Sequence, residues 1–205
     1  MIKLTIDGKD YKHPSKLEEV TLQQWIDLKS VQPDEEETSL KSDIRAFSAF
    51  TKVPQKALRK IPKKELVYYM QQVIDRISEV NTHILDTEPI KSFKQGNTTY
   101  HIEQDLDDAD LGQYIDCTHL MNKIDSEEQF LPYMMAIYCL KKGEEYNSKG
   151  YDLEKRADIM RKTRAMDALN IHAFFLTTSQ DYAKDTLRYL EGKPVASRPK
   201  HEQTT

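Results

Sequence analysis

The side chains best suited to chemistry are concentrated between positions 105 and 119 of the sequence. Cys117 and His119 lie two residues apart, and thiolate and imidazole groups are common zinc ligands. A structural zinc site takes four such ligands, however, and the chain has just one other cysteine, Cys139. The six histidines include no H-E-x-x-H or H-x-x-x-H pair. We interpret Cys117 and His119 as a half-buried cysteine beside a surface histidine, and assign no metal ligand.

The acidic run that begins at Asp105 has the composition of the first half of a calcium-binding loop. Such a loop requires a glycine at its sixth position and a glutamate at its twelfth. This sequence has Asp110 and Asp116 at those two positions. Acidic side chains also stabilise the N-terminus of a helix, because they interact favourably with its dipole. We therefore predict a helix start here and not a calcium site.

The sequence lacks the short motifs of the common enzyme classes. The six glycines stand apart, so none forms a phosphate-binding loop, and no G-x-S-x-G motif is present. We predict a non-enzymatic protein with no catalytic residues, no cofactor-binding residues and no cofactor. An enzyme or a nucleic-acid-binding factor would need a site that only the folded chain assembles. Binding that weakens steeply with salt would favour nucleic acid.

Charge and hydropathy exclude several kinds of partner. The 205 residues include 34 acidic and 30 basic side chains, a net charge of −4 that gives no general attraction to nucleic acid or acidic membranes. Two basic runs, 52–64 and 155–164, are typical of solvated helix faces. An acidic protein partner, nucleic acid and self-pairing in an oligomer are the alternatives. No apolar run approaches the roughly 20 residues that a bilayer requires, and no signal peptide is evident, so we expect a cytoplasmic protein.

Turn and capping signals divide the chain into short strands and amphipathic helices. Alternating apolar residues predict hairpins at 2–13 and 90–103, with turns at Asp7-Gly8 and Gly96-Asn97. Residue pairs with capping-box spacing predict three helix starts, at Thr21 with Gln24, Asp110 with Gln113, and Ser126 with Gln129. Further helices are predicted from Ser39, from Pro54 through Ile61, from Pro62, from Asp152 to Arg164 and from Ala165 to Leu190. The expected fold is mainly α with two small β-hairpins (α+β).

The two halves of the sequence are similar when one is shifted by 89 residues. Six of the 17 positions from 11 to 27 are then identical, including Tyr11 with Tyr100. With a one-residue gap in the turn, Gly8 also meets Gly96. We predict a duplicated hairpin-plus-helices unit over 1–89 and 90–191, followed by a flexible polar tail over 192–205. The hairpins either pair into one four-stranded sheet or belong to two lobes, because a lone hairpin is marginal in water.

Six apolar side chains are candidate contacts to a partner protein: Trp25, Leu111, Tyr114, Ile115, Phe174 and Phe175. Trp25 and Tyr114 occupy equivalent positions in the two units. They either anchor a partner or fill the space between hairpin and helix. Phe174 and Phe175 belong to a dense apolar cluster in the last predicted helix. That helix serves either as a central core helix or as a groove-binding face for a partner helix or peptide.

The segment 110–116, with the sequence Asp-Leu-Gly-Gln-Tyr-Ile-Asp, resembles a signature found in small proteins of tailed bacteriophages. In those proteins the signature is followed by a Tyr- and Leu-rich helix, a tyrosine-containing polar loop and a helix bearing Phe-Phe-Leu. The corresponding segments here are 130–140, 146–151 and 174–176. The resemblance covers about 106–190, and residues 22–27 echo the signature without its glycine.

Proteins of this kind assist tail or baseplate assembly, and some resemble the baseplate hub assembly chaperones of contractile-tailed phages. The resemblance implies a non-enzymatic, chaperone-like protein that binds a structural protein of the phage tail or baseplate. Such a protein works in the host cytoplasm during assembly. The alternative is a permanent virion component, such as a connector, ring or baseplate subunit. A homo-oligomer is compatible with either role, and neither a membrane nor nucleic acid is the expected partner.

Overall fold

The computed structural model describes residues 2–31, 39–86, 88–103 and 109–190. The strands within these ranges are β1 (Ile2–Ile6), β2 (Lys9–His13), β3 (Ser92–Gln95), β4 (Thr98–Ile102) and β5 (Cys139–Lys141). The helices are α1 (Leu22–Lys29), α2 (Ser39–Thr51), α3 (Gln55–Leu58), α4 (Lys63–Asp86), α5 (Leu111–Met121), α6 (Glu127–Tyr138), α7 (Leu153–Met160) and α8 (Ala165–Leu190). The fold is mainly α with two small antiparallel sheets, which confirms the predicted class.

Both predicted hairpins form, and each closes with a two-residue turn. In the first, Ile6 pairs with Lys9, and both turn residues between them, Asp7 and Gly8, have positive φ, as a type I′ turn requires. In the second, Gln95 pairs with Thr98, and positive φ occurs at Gly96, the first turn residue. Glycine is favoured at such positions because it has no Cβ to clash with the backbone.

The second sheet has a third strand that the sequence did not predict. The apolar pattern predicts that the helix that begins after Ser126 continues to Leu140. Instead the backbone becomes extended at Cys139, which pairs with Ile102 of β4. Pairing with β4 satisfies backbone groups along an otherwise free strand edge, and this tertiary gain outweighs one more helical turn.

The helix before α8, α7, is also shorter than the sequence predicted. The helix that begins after Asp152 ends at Met160, four residues before Arg164. Residues 161–164 turn instead towards the start of α1, where Thr21 and Arg164 form an isolated antiparallel bridge. The predicted span of α8, Ala165 to Leu190, is confirmed.

Each hairpin is followed by a helix, α1 or α5, in which one glutamine forms hydrogen bonds to the helix start and to the next helix. Gln24 Oε1 accepts the amide proton of Thr21, and its Nε2 donates to the backbone oxygen of Phe50 near the end of α2. Gln113 Oε1 accepts the amide proton of Asp110, and its Nε2 donates to the oxygen of Ile137 near the end of α6. The two capping glutamines are 89 positions apart, and each links its helix to the penultimate residue of the next.

The strand pairing of the second hairpin repeats that of the first with a shift of 89 residues and without a gap. Leu4 pairs with Tyr11 in the first hairpin, and Phe93 pairs with Tyr100 in the second, each pair being related by 89 residues. The one-residue gap that placed Gly8 against Gly96 is therefore unnecessary. These equivalences support the duplication hypothesis, and a common origin of the two units stays a prediction.

Buried side chains from both halves of the chain form one hydrophobic cluster. The N-terminal half of α8 packs beside α1, α4 and α6, so it contacts elements of both predicted units. In the described ranges the two hairpins do not share a sheet, and their strands form separate sheets of two and three strands. The boundaries at 89 and 191 stay predictions, and the predicted tail lies outside the described residues. No described helix is both long and apolar enough to span a bilayer.

Candidate functional site

The outer face of α5 exposes a stripe of apolar side chains. Leu111 is 72% exposed, Tyr114 63% and Ile115 53%, and Met121 continues the stripe towards the end of the helix. Spacings of three, four and ten residues place these side chains on one side of a helix. A contiguous exposed apolar surface marks a site of interaction more often than scattered apolar residues do.

The equivalent residues of α1 are buried. Leu22 is fully buried, Trp25 is 4% exposed and Ile26 is 1% exposed, although each lies 89 positions before its exposed counterpart on α5. The backbone amides of Leu22 and Gln23 donate to the oxygens of Thr163 and Arg161, both at 2.8 Å. The turn before α8 and α8 itself therefore cover α1, and none of the described residues covers α5 in this way.

A groove of about 550 Å³ lies between α5, the whole length of α6 and the first half of α8. We call it the α5 groove, and define it by the residues that line it: Tyr114, Cys117, Thr118, Met121, Ile124, Asp125, Glu127, Phe130, Met134, Tyr138, His172, Phe175 and Leu176. Its volume is in the range of sites that hold a small molecule or a few side chains of a partner. The wall is mainly aromatic and aliphatic, which suits an apolar occupant.

Polar groups of the groove include a thiol, an imidazole and a carboxylate. His172 Nε2 lies 3.0 Å from Glu127 Oε1, and burial lowers the pKa of His172 despite the carboxylates beside it. Burial also raises the pKa of the Cys117 thiol, although the neighbouring Tyr138 acts in the opposite direction. A nucleophilic cysteine needs a lowered pKa. The Cys117 thiol therefore lacks the lowered pKa of a nucleophilic cysteine, although the imidazole of His172 lines the same groove.

The surface around the groove is acidic. Residues 109–128 contain five acidic side chains and one lysine, Lys123. Asp110, Asp125 and Glu127 are exposed, whereas Asp116 accepts a hydrogen bond of 2.7 Å from the Tyr146 hydroxyl. An exposed acidic rim around an apolar centre favours a partner with basic residues beside its apolar surface.

The loop after β5 is held in place next to α5 by a buried ion pair. Arg156 donates two hydrogen bonds to Glu144, and its guanidinium lies over the rings of Tyr100 and Tyr151. Burial raises the pKa of Glu144, but hydrogen bonds from Arg156 and the Lys141 amide hold it below its usual range. This pair fixes the loop from which Tyr146 reaches α5.

The six predicted contact residues fall into two groups. Leu111, Tyr114 and Ile115 lie on the exposed stripe of α5. Trp25 and Phe175 are buried in the core, and Phe174 is half-buried beside Phe175. One edge of Phe175 nevertheless lines the groove. The apolar cluster of the last helix, one interpretation of which is a groove-binding face, includes Leu176, and Leu176 lines the groove. The sequence did not single out Thr118 or Phe130 as contacts, because the groove forms only when three helices meet.

Metal-binding side chains do not cluster in the part of the chain that the structure describes. Across the described residues, no three histidine, cysteine, aspartate or glutamate side chains come close enough together to hold a metal ion. Asp110 is the N-cap of α5, as predicted for the end of the acidic run, and residues 105–108 lie outside the described ranges. Comparisons of the chain with protein-family models, curated proteins and solved structures return no match.

Proposed function

We propose that this chain is a non-enzymatic assembly protein that binds another protein in the α5 groove. The observation that carries the proposal is the exposure of Leu111, Tyr114 and Ile115, whose equivalents on α1 are buried. Full burial of an exposed large apolar side chain contributes about 1.5–3 kcal/mol, and a partner that covers these three, which are 53–72% exposed, gains the corresponding part of that free energy. The groove beside them supplies a concave surface for a helix or an extended peptide.

The client that we propose is a structural protein of a phage tail or baseplate. The support for this choice is the resemblance of segment 110–116 to the signature of phage assembly proteins, and that segment forms the exposed start of α5. The protein would act in the host cytoplasm and shield an apolar client surface until assembly covers it. A permanent connector, ring or baseplate subunit is the alternative.

The groove is a better binding surface than the hairpin edges. An unpaired strand edge can accept a strand of a client. In the second sheet, however, β3 and β5 flank β4 on both sides, so β4 offers no free edge. The two hairpins also contribute buried residues to the core, such as Leu4 and Tyr100. The outer edges of β1, β2, β3 and β5 have no partner strand among the described residues, but we assign client binding to α5 because its exposed side chains are apolar.

The experiment compares the tagged chain with a groove variant during infection by the phage that encodes it. Tyr114→Ala with Ile115→Ala removes the centre of the stripe, and Leu40→Ala on α2 is the control because Leu40 is also exposed. We expect a tail or baseplate protein to be recovered with wild type and with the control but not with the groove variant. Equal recovery with all three chains contradicts the groove assignment.

Quantitative mass spectrometry of purified particles separates the two roles. A chaperone is abundant in the lysate and missing from the particles. A fixed copy number beside tail proteins in the particles contradicts the chaperone role and supports a permanent virion component.

A further inference from the structure

A second exposed apolar surface lies on the first half of α4. Val67 is 48% exposed, Tyr68 62% and Ile74 50%, and the polar Lys64 and Gln71 complete the same stripe. The positions 64, 67, 68, 71 and 74 follow the spacing of one helix face. We call these five residues the α4 stripe. Leu66, Met70 and Val73 on the opposite side of the helix are buried in the core.

The N-terminal end of the α4 stripe, together with the residues that precede α4, is strongly basic. Positions 52–74 carry six lysine or arginine residues and one acidic residue, Glu65. Lys52 and Lys60 form ion pairs with Asp27 and Asp7. The other four, Lys56, Arg59, Lys63 and Lys64, are exposed and form no ion pair with any described residue. This cluster leaves a positive charge at the N-terminal end of α4, where the helix dipole adds to it.

The α4 stripe matches the exposed stripe of α5 in length and the α5 groove in charge. Lys64 to Ile74 and Leu111 to Met121 each span ten residue steps, which is about 15 Å of helix, and Tyr114 and Met121 of the α5 stripe also line the groove. Asp125 and Glu127 lie beyond the C-terminal end of α5, on the groove side. If α4 of one copy packs antiparallel to α5 of another, the basic end of α4 lies beside these carboxylates. The dipoles of the two helices then point in opposite directions, which is favourable.

We infer that the α5 groove of one copy binds the α4 stripe of a second copy, in an antiparallel and head-to-tail arrangement. Two α5 grooves packed on each other would bring their acidic rims together, which disfavours a twofold-symmetric contact between them. A head-to-tail contact leaves one groove and one stripe open at the ends, so copies add until a ring closes or a filament grows. The inference rests on the proposed function in one respect, because both use the α5 groove as the binding surface. A client and a second copy would therefore compete for the groove.

The test uses the purified full-length chain and two charge-reversed variants. Sedimentation velocity over a wide concentration range, at low and high salt, measures the association. Lys63→Glu with Lys64→Glu reverses the α4 end, and Asp125→Lys with Glu127→Lys reverses the groove rim. Lys91→Glu with Lys94→Glu is the matched control, because both lysines are exposed on or beside β3, outside both surfaces. Circular dichroism verifies that each variant is folded.

We expect wild type and control to form oligomers that weaken with salt, and each surface variant alone to associate at least about tenfold more weakly. An equimolar mixture of the two surface variants restores association, since the reversed charges again complement each other. Tyr68→Ala and Tyr114→Ala each weaken association without altering charge.

Two results overturn the inference. Monomeric wild-type protein at every concentration excludes self-association and leaves client capture, which is measured separately, unaffected. Association that is lost in Tyr114→Ala but kept in both Tyr68→Ala and the α4 charge variant indicates a groove-to-groove dimer instead. Loss of client capture with intact self-association contradicts the proposed function and not this inference.

Discussion

Gln113 joins the start of α5 to the end of α6, because its Nε2 donates a 2.7 Å hydrogen bond to the backbone oxygen of Ile137. Its Oε1 accepts the amide proton of Asp110 at 2.9 Å. One buried amide thus satisfies a backbone donor at a helix start and a backbone acceptor near a helix end, where helices leave such groups unpaired. Gln113 thus links two of the three helices that line the groove.

Replacement of Gln113 by alanine should therefore be costly. The substitution leaves the Asp110 amide and the Ile137 oxygen without their partner, and we expect the free energy of unfolding to fall by about 1–3 kcal/mol. Urea denaturation monitored by circular dichroism measures the loss. Gln129→Ala is the matched control, since Gln129 has the same spacing from its cap but an exposed side chain, and it should change stability by less than about 0.5 kcal/mol. Equal losses in the two variants would show that the interhelix link contributes nothing.

Arg156 should be among the most sensitive charged residues of the chain. Its side chain is 8% exposed, pairs with Glu144 and lies over two tyrosine rings. Arg156→Ala leaves the largely buried Glu144 carboxylate with the Lys141 amide and ammonium as its remaining partners, and we expect a loss of up to about 3–5 kcal/mol in unfolding free energy. Arg156→Lys should recover only part of this, because an ammonium cannot donate the paired hydrogen bonds.

The control for Arg156 is Lys155→Ala on the same helix. The Lys155 side chain is 83% exposed and its ion pair with Asp152 is accessible to solvent. Such pairs contribute about 0–1 kcal/mol. A similar loss in Lys155→Ala and Arg156→Ala, measured by urea denaturation, would contradict the special role of the buried pair.

The fold class was predictable because its signals are local. Asp7-Gly8 and Gly96-Asn97 specify tight turns, and Thr21 and Asp110 precede glutamines at capping distance. Each signal needs only a few neighbouring residues. Strand β5 had no such signal, since residues 139–141 continue an apolar pattern that suits a helix equally well. Its conformation is decided by β4, which is far away in the sequence.

The candidate site was only partly predictable for the same reason. The sequence placed Leu111, Tyr114 and Ile115 on one apolar helix face, which is correct for α5. Periodicity cannot distinguish a face that the core covers from one that stays open. Leu22 and Leu111 occupy equivalent positions and have opposite exposure, because the described residues of the turn before α8 hydrogen-bond to α1 and not to α5.

The stability of the protein should decrease in mild acid through His13. This side chain is fully buried beside Phe47 and Tyr69, and burial lowers its pKa below the ordinary value of 6.5. The folded protein keeps His13 neutral, whereas the unfolded chain binds a proton as the pH falls through about 6.5. The contribution of neutral His13 to the free energy of unfolding is therefore complete above about pH 6.5. Below that pH the free energy of unfolding falls by at most about 1.4 kcal/mol per pH unit through this group.

Substitution of His13 by leucine tests this dependence. The free energy of unfolding of wild type and His13→Leu is measured by urea denaturation from about pH 7.5 to pH 5. We expect the wild-type curve to fall more steeply below pH 6.5. Parallel curves would show that His13 is protonated equally in the folded and unfolded states. His172, whose pKa is also lowered by burial, is present in both proteins and cancels in the comparison.

Trp25 and Tyr114 occupy equivalent positions, yet alanine at each should have opposite consequences. Trp25 is 4% exposed and packs in the core, so Trp25→Ala should lower the free energy of unfolding by about 3–5 kcal/mol. Tyr114 is exposed on α5, and Tyr114→Ala should change stability by less than about 0.5 kcal/mol. Thermal and urea denaturation of the two variants measure this difference, and sedimentation of Tyr114→Ala measures its association. A large loss of stability in Tyr114→Ala would mean that Tyr114 packs within its own chain and that the α5 face is not open to a partner.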